Sequence, residues 1–333
     1  MKTYIDKNNK FIEQFCIETG LYIRSGVIEN GKDTGIDPFM RNFPQLIDIG
    51  IMGHCRHGSS GACLASGIRC YQSGNRVTMP NMMPDDFHCI VLQCRDRVFQ
   101  MALGGRGDVD QHEHFEELLS LCRENDIVPN FTTSGFGLTL DHAKVCKKYT
   151  GAVAVSWYRT DYTHRAVNYL LDAGVKTNIH YVLDSNSIDE AIERLKNWDF
   201  PVGINAVIFL LYKPIGIGND EIVLWADNDR VAEFFKLVDT EQFPFIIGIV
   251  NHSELGRLLG LEYADDAWEI KVTDEKVSAF TIMNNFDMGD FLDKIGVDRR
   301  VVEWDEYERS YTSYITAETS ATWKQLLLTI YST

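Results

Sequence analysis

The stretch LIDIGIMGHCRHGSSGACLASGIRC (Leu46–Cys70) joins an apolar run to a loop that holds three cysteines and four glycines. The first seven residues are apolar enough for a buried strand, and the loop begins where that strand would end. Three thiols on one loop are typical of a disulfide cluster, a zinc site or an iron–sulfur loop. The rest of the sequence has to choose among these three.

Composition narrows the choice. A chain of 333 residues with 45% hydrophobic content can bury a large core, as one barrel-sized domain or two smaller ones. The net charge of -16 would repel phosphate backbones and anionic lipid, so we expect a small substrate or a basic peptide, with no nucleic acid and no membrane partner.

The first residues contain no signal-peptide pattern, and no apolar run reaches the length of about 18 residues that a membrane span needs. The sequence therefore predicts a cytoplasmic protein. In a reducing compartment, eight cysteines favour a metal site or catalysis over disulfides.

From Leu46 to about Val250, short apolar runs alternate with helix-length amphipathic segments. This alternation predicts a parallel sheet with helices outside it. Six strand–helix units followed by a seventh strand favour an α/β fold of the TIM type, as a full or partial barrel. Ser187 and Glu190 have the spacing of a capping box at the start of one of these helices.

The loop that follows each predicted strand is polar or rich in glycine. In a barrel these loops share one rim, where the chemistry of such folds is found. We therefore expect a pocket at that rim, formed by the cysteine loop and by Gly104–Asp108, Thr133–Gly135, Ser156–Arg159, Asp184–Asn186 and Lys213–Gly216.

Cys55, Cys63 and Cys70 are too far apart in sequence for the paired knuckles of structural zinc sites. Three soft thiolates would leave one metal position open, which suits an iron–sulfur cluster or zinc. His54 and His57 are either further ligands or groups outside the ligand set. The other cysteines are expected to be small buried side chains: Cys16, Cys89, Cys94, Cys122 and Cys146.

The cysteine loop after the first strand, the glycine pair after the second and the six-unit barrel together resemble the radical S-adenosylmethionine enzymes. The resemblance covers roughly residues 46–250 and implies a partial (β/α)6 barrel. It also implies that Cys55, Cys63 and Cys70 hold a four-iron four-sulfur cluster whose open iron takes S-adenosylmethionine. Reductive cleavage of that cofactor would give a 5′-deoxyadenosyl radical, with an electron donor such as flavodoxin or ferredoxin.

The same resemblance assigns further residues. Gly104 and Gly105 would approach the methionine amino group, with Asp108 as the nearest carboxylate because Arg106 stands where the family has glutamate. Ser156 and Arg159 are the candidate catalytic groups, although Arg159 has the alternative of pairing with a helix carboxylate. Further cofactor contacts are expected from four residues on neighbouring strands and loops: Ser134, Ser156, Asn178 and His180.

Two departures from the family are visible. Its usual cysteine spacing is CxxxCxxC, whereas here the three cysteines are spread over a wide loop. The usual aromatic residue before the last cysteine is Arg69, and Tyr71 follows instead.

The two ends of the chain read as additions to the barrel. Residues 1–45 form a flanking segment, and KFIEQFCIETG within it (Lys10–Gly20) reads as a short helix. Residues 251–333 form an α+β extension with a hairpin pattern in AWEIKVTDEKVSAFTIM, and we expect this part to recognise substrate.

The sequence thus favours a radical S-adenosylmethionine enzyme that acts on a peptide or small molecule. One alternative is a zinc-dependent barrel hydrolase that uses the same cysteine and histidine loop. Another is a degenerate barrel that serves as a binding or regulatory protein.

Overall fold

The computed structural model describes residues 1–36, 45–70, 72–76, 78–212, 220–224, 228–250, 302–305 and 310–313. The strands within these ranges are β1 Lys2–Asp6, β2 Phe11–Phe15, β3 Tyr22–Arg24, β4 Ile28–Glu29, β5 Lys32–Asp33, β6 Leu46–Met52, β7 Gln100–Gly105, β8 Val128–Thr133, β9 Val153–Ser156, β10 Thr177–Leu183, β11 Ala206–Leu211, β12 Ile246–Val250, β13 Val302–Asp305 and β14 Ser310–Ser313.

The helices are α1 Arg56–Ser59, α2 Ala62–Ala65, α3 Pro84–Cys94, α4 Phe115–Glu124, α5 Leu140–Tyr149, α6 Asp161–Asp172, α7 Ile188–Asn197 and α8 Asp229–Thr240. Two 3₁₀ turns lie at Val109–Gln111 and Asp220–Ile222. Within the described ranges, no helix has the length and apolar character needed to cross a membrane.

Strands β6 to β12 form one seven-stranded sheet in which each strand lies beside the next one in the chain, and every pair is parallel. A helix follows each of the first six strands, as the alternating pattern predicts. Among the described residues, β6 and β12 are the edges and no pairing joins them. The predicted α/β fold with a partial barrel is confirmed.

Alternation along the strands separates the helix-facing core from the interior face of the sheet. On β6, Ile47, Ile49 and Ile51 are buried in the main hydrophobic cluster, while Asp48 points the other way. The same cluster takes the apolar face of α6 at Ala166, among others. Burial of these branched side chains between sheet and helices stabilises the fold and leaves the interior face for polar residues.

The N-terminal segment corrects one prediction. KFIEQFCIETG is not helical: Phe11–Phe15 is strand β2, paired with β1 and β3 in an antiparallel sheet, and Cys16 follows the strand. Phe11, Glu13 and Phe15 are all buried, which is the two-residue period of a strand. Glu13 is satisfied there by the Tyr22 hydroxyl, which donates to it at 2.7 Å.

This small sheet packs against the amino-terminal ends of the barrel strands. Phe15 stacks on Phe99 with ring centroids 5.3 Å apart, and both pack with Val128 at the start of β8. Lys2 Nζ donates to the carbonyl of Val98 at 2.8 Å. The end of the barrel opposite the predicted site is therefore covered by apolar packing.

The capping box predicted from Ser187 and Glu190 is wrong, because these two side chains do not make its hydrogen bonds. Ser187 is the N-cap residue, but its side chain makes no capping bond to the helix. The Asp184 carboxylate accepts from the backbone N–H groups of Asn186 and Ser187, at 2.9 and 2.8 Å. Glu190 is left to bind arginine side chains instead.

The structure describes little of the C-terminal region. Strands β13 and β14 form an antiparallel pair. The predicted hairpin in AWEIKVTDEKVSAFTIM lies outside the described residues, and so do Tyr71 and the loop Lys213–Gly216.

Candidate active site

The cysteine loop starts at the carboxyl end of β6. Cys55 is the N-cap of the short helix α1, and its Sγ accepts the backbone N–H of Gly58 at 3.0 Å. Cys63 is buried within α2, and Cys70 follows, half-buried. The loop lies directly against the next one, because a Cβ at Gly107 would come within 2.2 Å of the His54 carbonyl oxygen. Glycine is therefore required there.

The three thiols lie near enough to one another to interact electrostatically. Burial, together with the nearby charges of Asp108, Cys70 and Cys63, raises the pKa of Cys55 to about 11, although the hydrogen bond from the Gly58 N–H acts in the opposite direction. Burial also raises the pKa of Cys63, with Cys70 and Asp108 adding to the effect. The thiols of Cys55 and Cys63 therefore stay protonated at neutral pH unless a metal replaces their protons, since metal ligation requires the thiolate.

Gly104 and Gly105 end β7 beside β6. The strand register shifts between Gly50 and Met52, so the end of β6 carries a bulge at this point. Gly105 has a φ of 114°, and a Cβ there would come within 2.4 Å of the Met52 carbonyl oxygen. A Cβ on Gly104 would meet no heavy atom within 4 Å, so open space lies beside this residue at the rim.

Two of the predicted cofactor residues, Asp108 and Ser134, are hydrogen-bonded to each other. The Ser134 backbone N–H donates to Asp108 Oδ1 at 2.7 Å, and the Ser134 hydroxyl donates to Asp108 Oδ2 at 2.5 Å. Burial, together with the nearby charge of Asp110, nevertheless raises the pKa of Asp108 to about 7. A cation placed beside this carboxyl group would favour its ionised form.

Asp110 is a second buried acid that the sequence analysis missed. Gln111 Nε2 donates to its Oδ2 at 2.5 Å, and burial raises its pKa. The pair of acids in GDVD was the signal that could have identified it. Asp108 accepts from Ser134, whereas Asp110 lies in the 3₁₀ turn that follows.

His57 is enclosed by aromatic rings. Its ring stacks on Phe136 at 4.8 Å between centroids and lies near Tyr158 at 5.9 Å. Its Nε2 lies 2.9 Å from the Tyr162 hydroxyl. Burial lowers the pKa of His57 to about 4, so the imidazole is neutral at pH 7. His57 ties the cysteine loop to α6.

Ser156, Asn178 and His180 face the interior of the barrel. Ser156 and His180 are register partners on β9 and β10, and His180 Nδ1 lies 3.4 Å from the Thr132 hydroxyl. Asn178 Oδ1 accepts from Asn205 Nδ2 at 2.8 Å. Burial lowers the pKa of His180 to about 4, which leaves a neutral imidazole on the inner wall.

Asp48 shares this interior face and was also missed. It reaches solvent inside the barrel while protein surrounds it, and burial raises its pKa. A charged residue in the apolar run LIDIGIM was the signal that could have identified it.

Arg159 lies at the same rim but points to a helix carboxylate, which was the alternative considered for it. Its Nε is 2.6 Å from Glu190 on α7, and the guanidinium lies 4.9 Å from the Tyr181 ring centroid. The residue adopts a φ of 60°. The structure does not bring Arg159 into hydrogen-bond contact with Ser156, Asn178 or His180.

The prediction of small buried side chains is confirmed for three of the remaining cysteines and does not hold for Cys16 and Cys89, which are half-buried. Cys94, Cys122 and Cys146 are buried, and burial raises the pKa of each. Cys89 is half-buried in α3. These four thiols belong to the helix layer.

Comparison with known proteins identifies the fold. No protein-family profile matches the sequence, and no curated protein matches it either. The structure resembles Streptococcus suis SuiB bound to S-adenosylmethionine, with a TM-score of 0.53 and 17% identity, over 71% of this chain and 57% of that one. A second structure of SuiB gives a TM-score of 0.50 and 16% identity, over 67% and 53% of the two chains.

The chain has the fold of this S-adenosylmethionine-bound protein. The predicted α/β partial barrel is therefore shared with a known structure. The chain spans somewhat more than half the length of SuiB.

Proposed function

We propose that this protein is a radical S-adenosylmethionine enzyme that acts on a peptide or a small molecule. The observation that carries the proposal is the cysteine loop at the carboxyl end of β6, beside the Asp108–Ser134 pair, in a fold that is shared with an S-adenosylmethionine-bound protein. When bound, a four-iron cluster would supply the electron that cleaves S-adenosylmethionine to a 5′-deoxyadenosyl radical, which abstracts hydrogen from substrate.

The residues present fit such a cluster. Cys55, Cys63 and Cys70 are the thiols that would hold it, and soft sulfur ligands are those that iron–sulfur clusters take. Each cysteine would bind a different iron of the cluster, so the three sulfur atoms need not converge on one point. The backbone N–H of Gly58 donates to Cys55 Sγ, and hydrogen bonds of this kind tune clusters.

Asp108 is the group proposed to receive the methionine ammonium. Ser134 fixes both carboxylate oxygens, so the carboxyl group is oriented before the ligand arrives. Its raised pKa means that binding of the ammonium would release a proton from Asp108 near neutral pH. Gly104 leaves open space at the adjoining strand end, which is where the methionine moiety would approach.

The inner wall would bind the ribose and adenine of the cofactor. Ser156, Asn178 and neutral His180 present hydrogen-bonding groups to the interior, and Thr132 orients the imidazole. Arg159 is proposed to act through Glu190 and Tyr181 as a brace at the rim.

The zinc hydrolase gains no specific support. A single ion needs its ligands around one point, and the described residues contain no group of three or more His, Cys, Asp or Glu side chains placed to hold one. His57 Nε2 faces the Tyr162 hydroxyl instead.

The test is anaerobic purification, reconstitution with iron and sulfide, and low-temperature electron paramagnetic resonance with and without S-adenosylmethionine. We expect a reduced-cluster signal that shifts when the cofactor is added. The control is a Cys55→Ala/Cys63→Ala/Cys70→Ala variant, which should give no signal. A buried control, Cys122→Ala, should keep the signal. Wild-type protein without sulfide or cluster signal would overturn the proposal.

A further inference from the structure

Positive charge is concentrated around the thiols of a strongly acidic protein. Residues 49–84 contain three arginines and no aspartate or glutamate, so all 48 acidic residues of the chain lie elsewhere. The chain as a whole carries a net charge of -16. The loop that holds the cysteines is therefore an exception to the charge of the rest of the molecule.

Arginine and apolar side chains share the segment that holds the cysteines, and we call five of its residues the arginine face: Arg56, Leu64, Ile68, Arg69 and Arg76. The three arginine side chains are exposed, and Leu64 is 48% exposed. All of these residues except Arg56 also line a concavity of about 370 Å³. An apolar centre with a charged rim is the usual composition of a protein–protein interface.

The charge of this face is not neutralised within the described part of the chain. Arg69 and Arg76 form no ion pair with described residues, and Arg56 donates to the neutral side chain of Gln111 at 3.2 Å. Arginines on the far helices differ: Arg194 binds Glu190 at 2.6 Å, and Arg230 binds Asp189. Among the described residues, no carboxylate takes the place that a partner of opposite charge would occupy on the arginine face.

Two residues of the face are chain neighbours of two of the thiols. Leu64 follows Cys63 in the chain, and Arg69 precedes Cys70. We infer, on the basis of the function proposed above, that the arginine face docks a small acidic electron-transfer protein of the flavodoxin or ferredoxin type. One electron would pass from the reduced carrier to the oxidised cluster, so the carrier is oxidised and the cluster reduced by one electron each.

The arginine face is a positive surface on a negatively charged protein, and this charge pattern favours a small partner. Screening confines the attraction of the face to about 8 Å at physiological ionic strength. A long polyanion or an anionic membrane would extend into the negative field of the rest of the protein. A small compact acidic protein would contact the positive face and little else, and its encounter would be steered electrostatically.

The experiment compares wild type with an Arg69→Glu/Arg76→Glu variant, and the probe is flavodoxin. Isothermal titration calorimetry measures binding of flavodoxin to the metal-free chain at low and high ionic strength. Anaerobic stopped-flow absorbance measures reduction of the reconstituted cluster by photoreduced flavodoxin. We expect binding and reduction to weaken by about tenfold or more in the variant, and the wild-type rate to fall with salt.

The control is Arg95→Glu/Arg165→Glu, which changes the net charge equally at exposed positions outside the face. It should behave as wild type. Reduction by dithionite, which needs no docking surface, should be the same in all three proteins and reports that the cluster is intact.

The outcomes separate the two proposals. A cluster that dithionite reduces, combined with flavodoxin binding that is equal in the variant and the control, would overturn the arginine face and leave the proposed function standing. The same follows if the wild type neither binds nor accepts electrons from flavodoxin or ferredoxin. Absence of any cluster in the wild type would overturn both.

Discussion

The two ends of the barrel differ in how their polar and charged groups are satisfied. At the amino-terminal end, Phe15, Phe99 and Val128 are each at most 3% exposed, and Lys2 and Arg123 donate to backbone carbonyls. At the carboxyl-terminal rim, carboxyl groups and thiols have pKa values raised by burial, and the arginine face has no acidic partner among the residues that the structure describes. The side chains named at the amino-terminal end find their partners within the fold. The carboxyl groups, thiols and arginines at the rim are placed to interact with a bound ligand or partner.

This difference separates the end of the barrel that stabilises the fold from the end that carries the candidate site. Parallel barrels carry their chemistry at the carboxyl ends of the strands and their stability at the opposite end. Groups held in unfavourable environments at a site lower stability in exchange for binding. Substitutions at the amino-terminal end should therefore destabilise the protein, and some substitutions at the rim should stabilise it while they impair the site.

The largest effect is expected from Phe99→Ala. Phe99 is 1% exposed and stacks on Phe15, so its removal leaves a cavity that the two sheets cannot close. We expect the free energy of unfolding to fall by about 3–5 kcal/mol, as measured by urea denaturation of the metal-free protein. The matched control at the rim is Phe136→Ala, which removes a half-buried ring and should cost less. Equal losses at the two positions would contradict the comparison.

Asp108→Asn should raise the free energy of unfolding, whereas Phe99→Ala lowers it. The folded-state pKa of Asp108 is about 7, above the ordinary value of 3.8, so the folded state binds more protons than the unfolded state between these pH values. The wild type therefore loses stability as pH rises from about 4 to about 7. The neutral amide escapes that loss, and we expect a gain of about 2–3 kcal/mol at pH 7, after a discount for partial exposure.

Urea denaturation across this pH range measures the effect, and calorimetry should show weaker binding of S-adenosylmethionine by the more stable variant. Asp141→Asn is the control, because Lys144 lowers the pKa of this exposed carboxyl group and its removal should give no gain. A pH-independent difference between wild type and Asp108→Asn would show that the carboxyl group is not held as described.

The sequence predicted one end of the molecule better than the other. The βα repeat and the thiols at its first loop are local patterns, so both could be identified without coordinates. The N-terminal sheet could not, because Phe11 and Phe15 are compatible with a helical as well as a strand period until their partners are known. The contact of His57 with Tyr162 joins separate elements, and no local pattern contains it.

Arg159 illustrates the same limit at the site. Its place after β9 was evident from the repeat, and both a ligand carboxylate and a helix carboxylate were possible partners. The choice of Glu190 depends on how α7 is capped, since Asp184 takes the capping role and leaves Glu190 for the arginine. Side-chain partners at a rim are therefore decided by tertiary competition, which spacing in the chain does not encode.

The smallest effect is expected from His180→Gln on the inner wall. Burial lowers the folded-state pKa of His180 to about 4, below the ordinary value of 6.5, so the unfolded state binds more protons between these pH values. The wild type should gain stability relative to the variant as pH rises from about 4 to about 6.5, by about 1–2 kcal/mol. Paired urea denaturation curves at the two pH values measure this slope. His88→Gln, at a half-buried site on α3 away from the inner wall, serves as the control for the loss of an imidazole. If His180→Gln runs parallel to the wild type, the imidazole is not desolvated on the inner wall, and its proposed contact with the cofactor loses its basis.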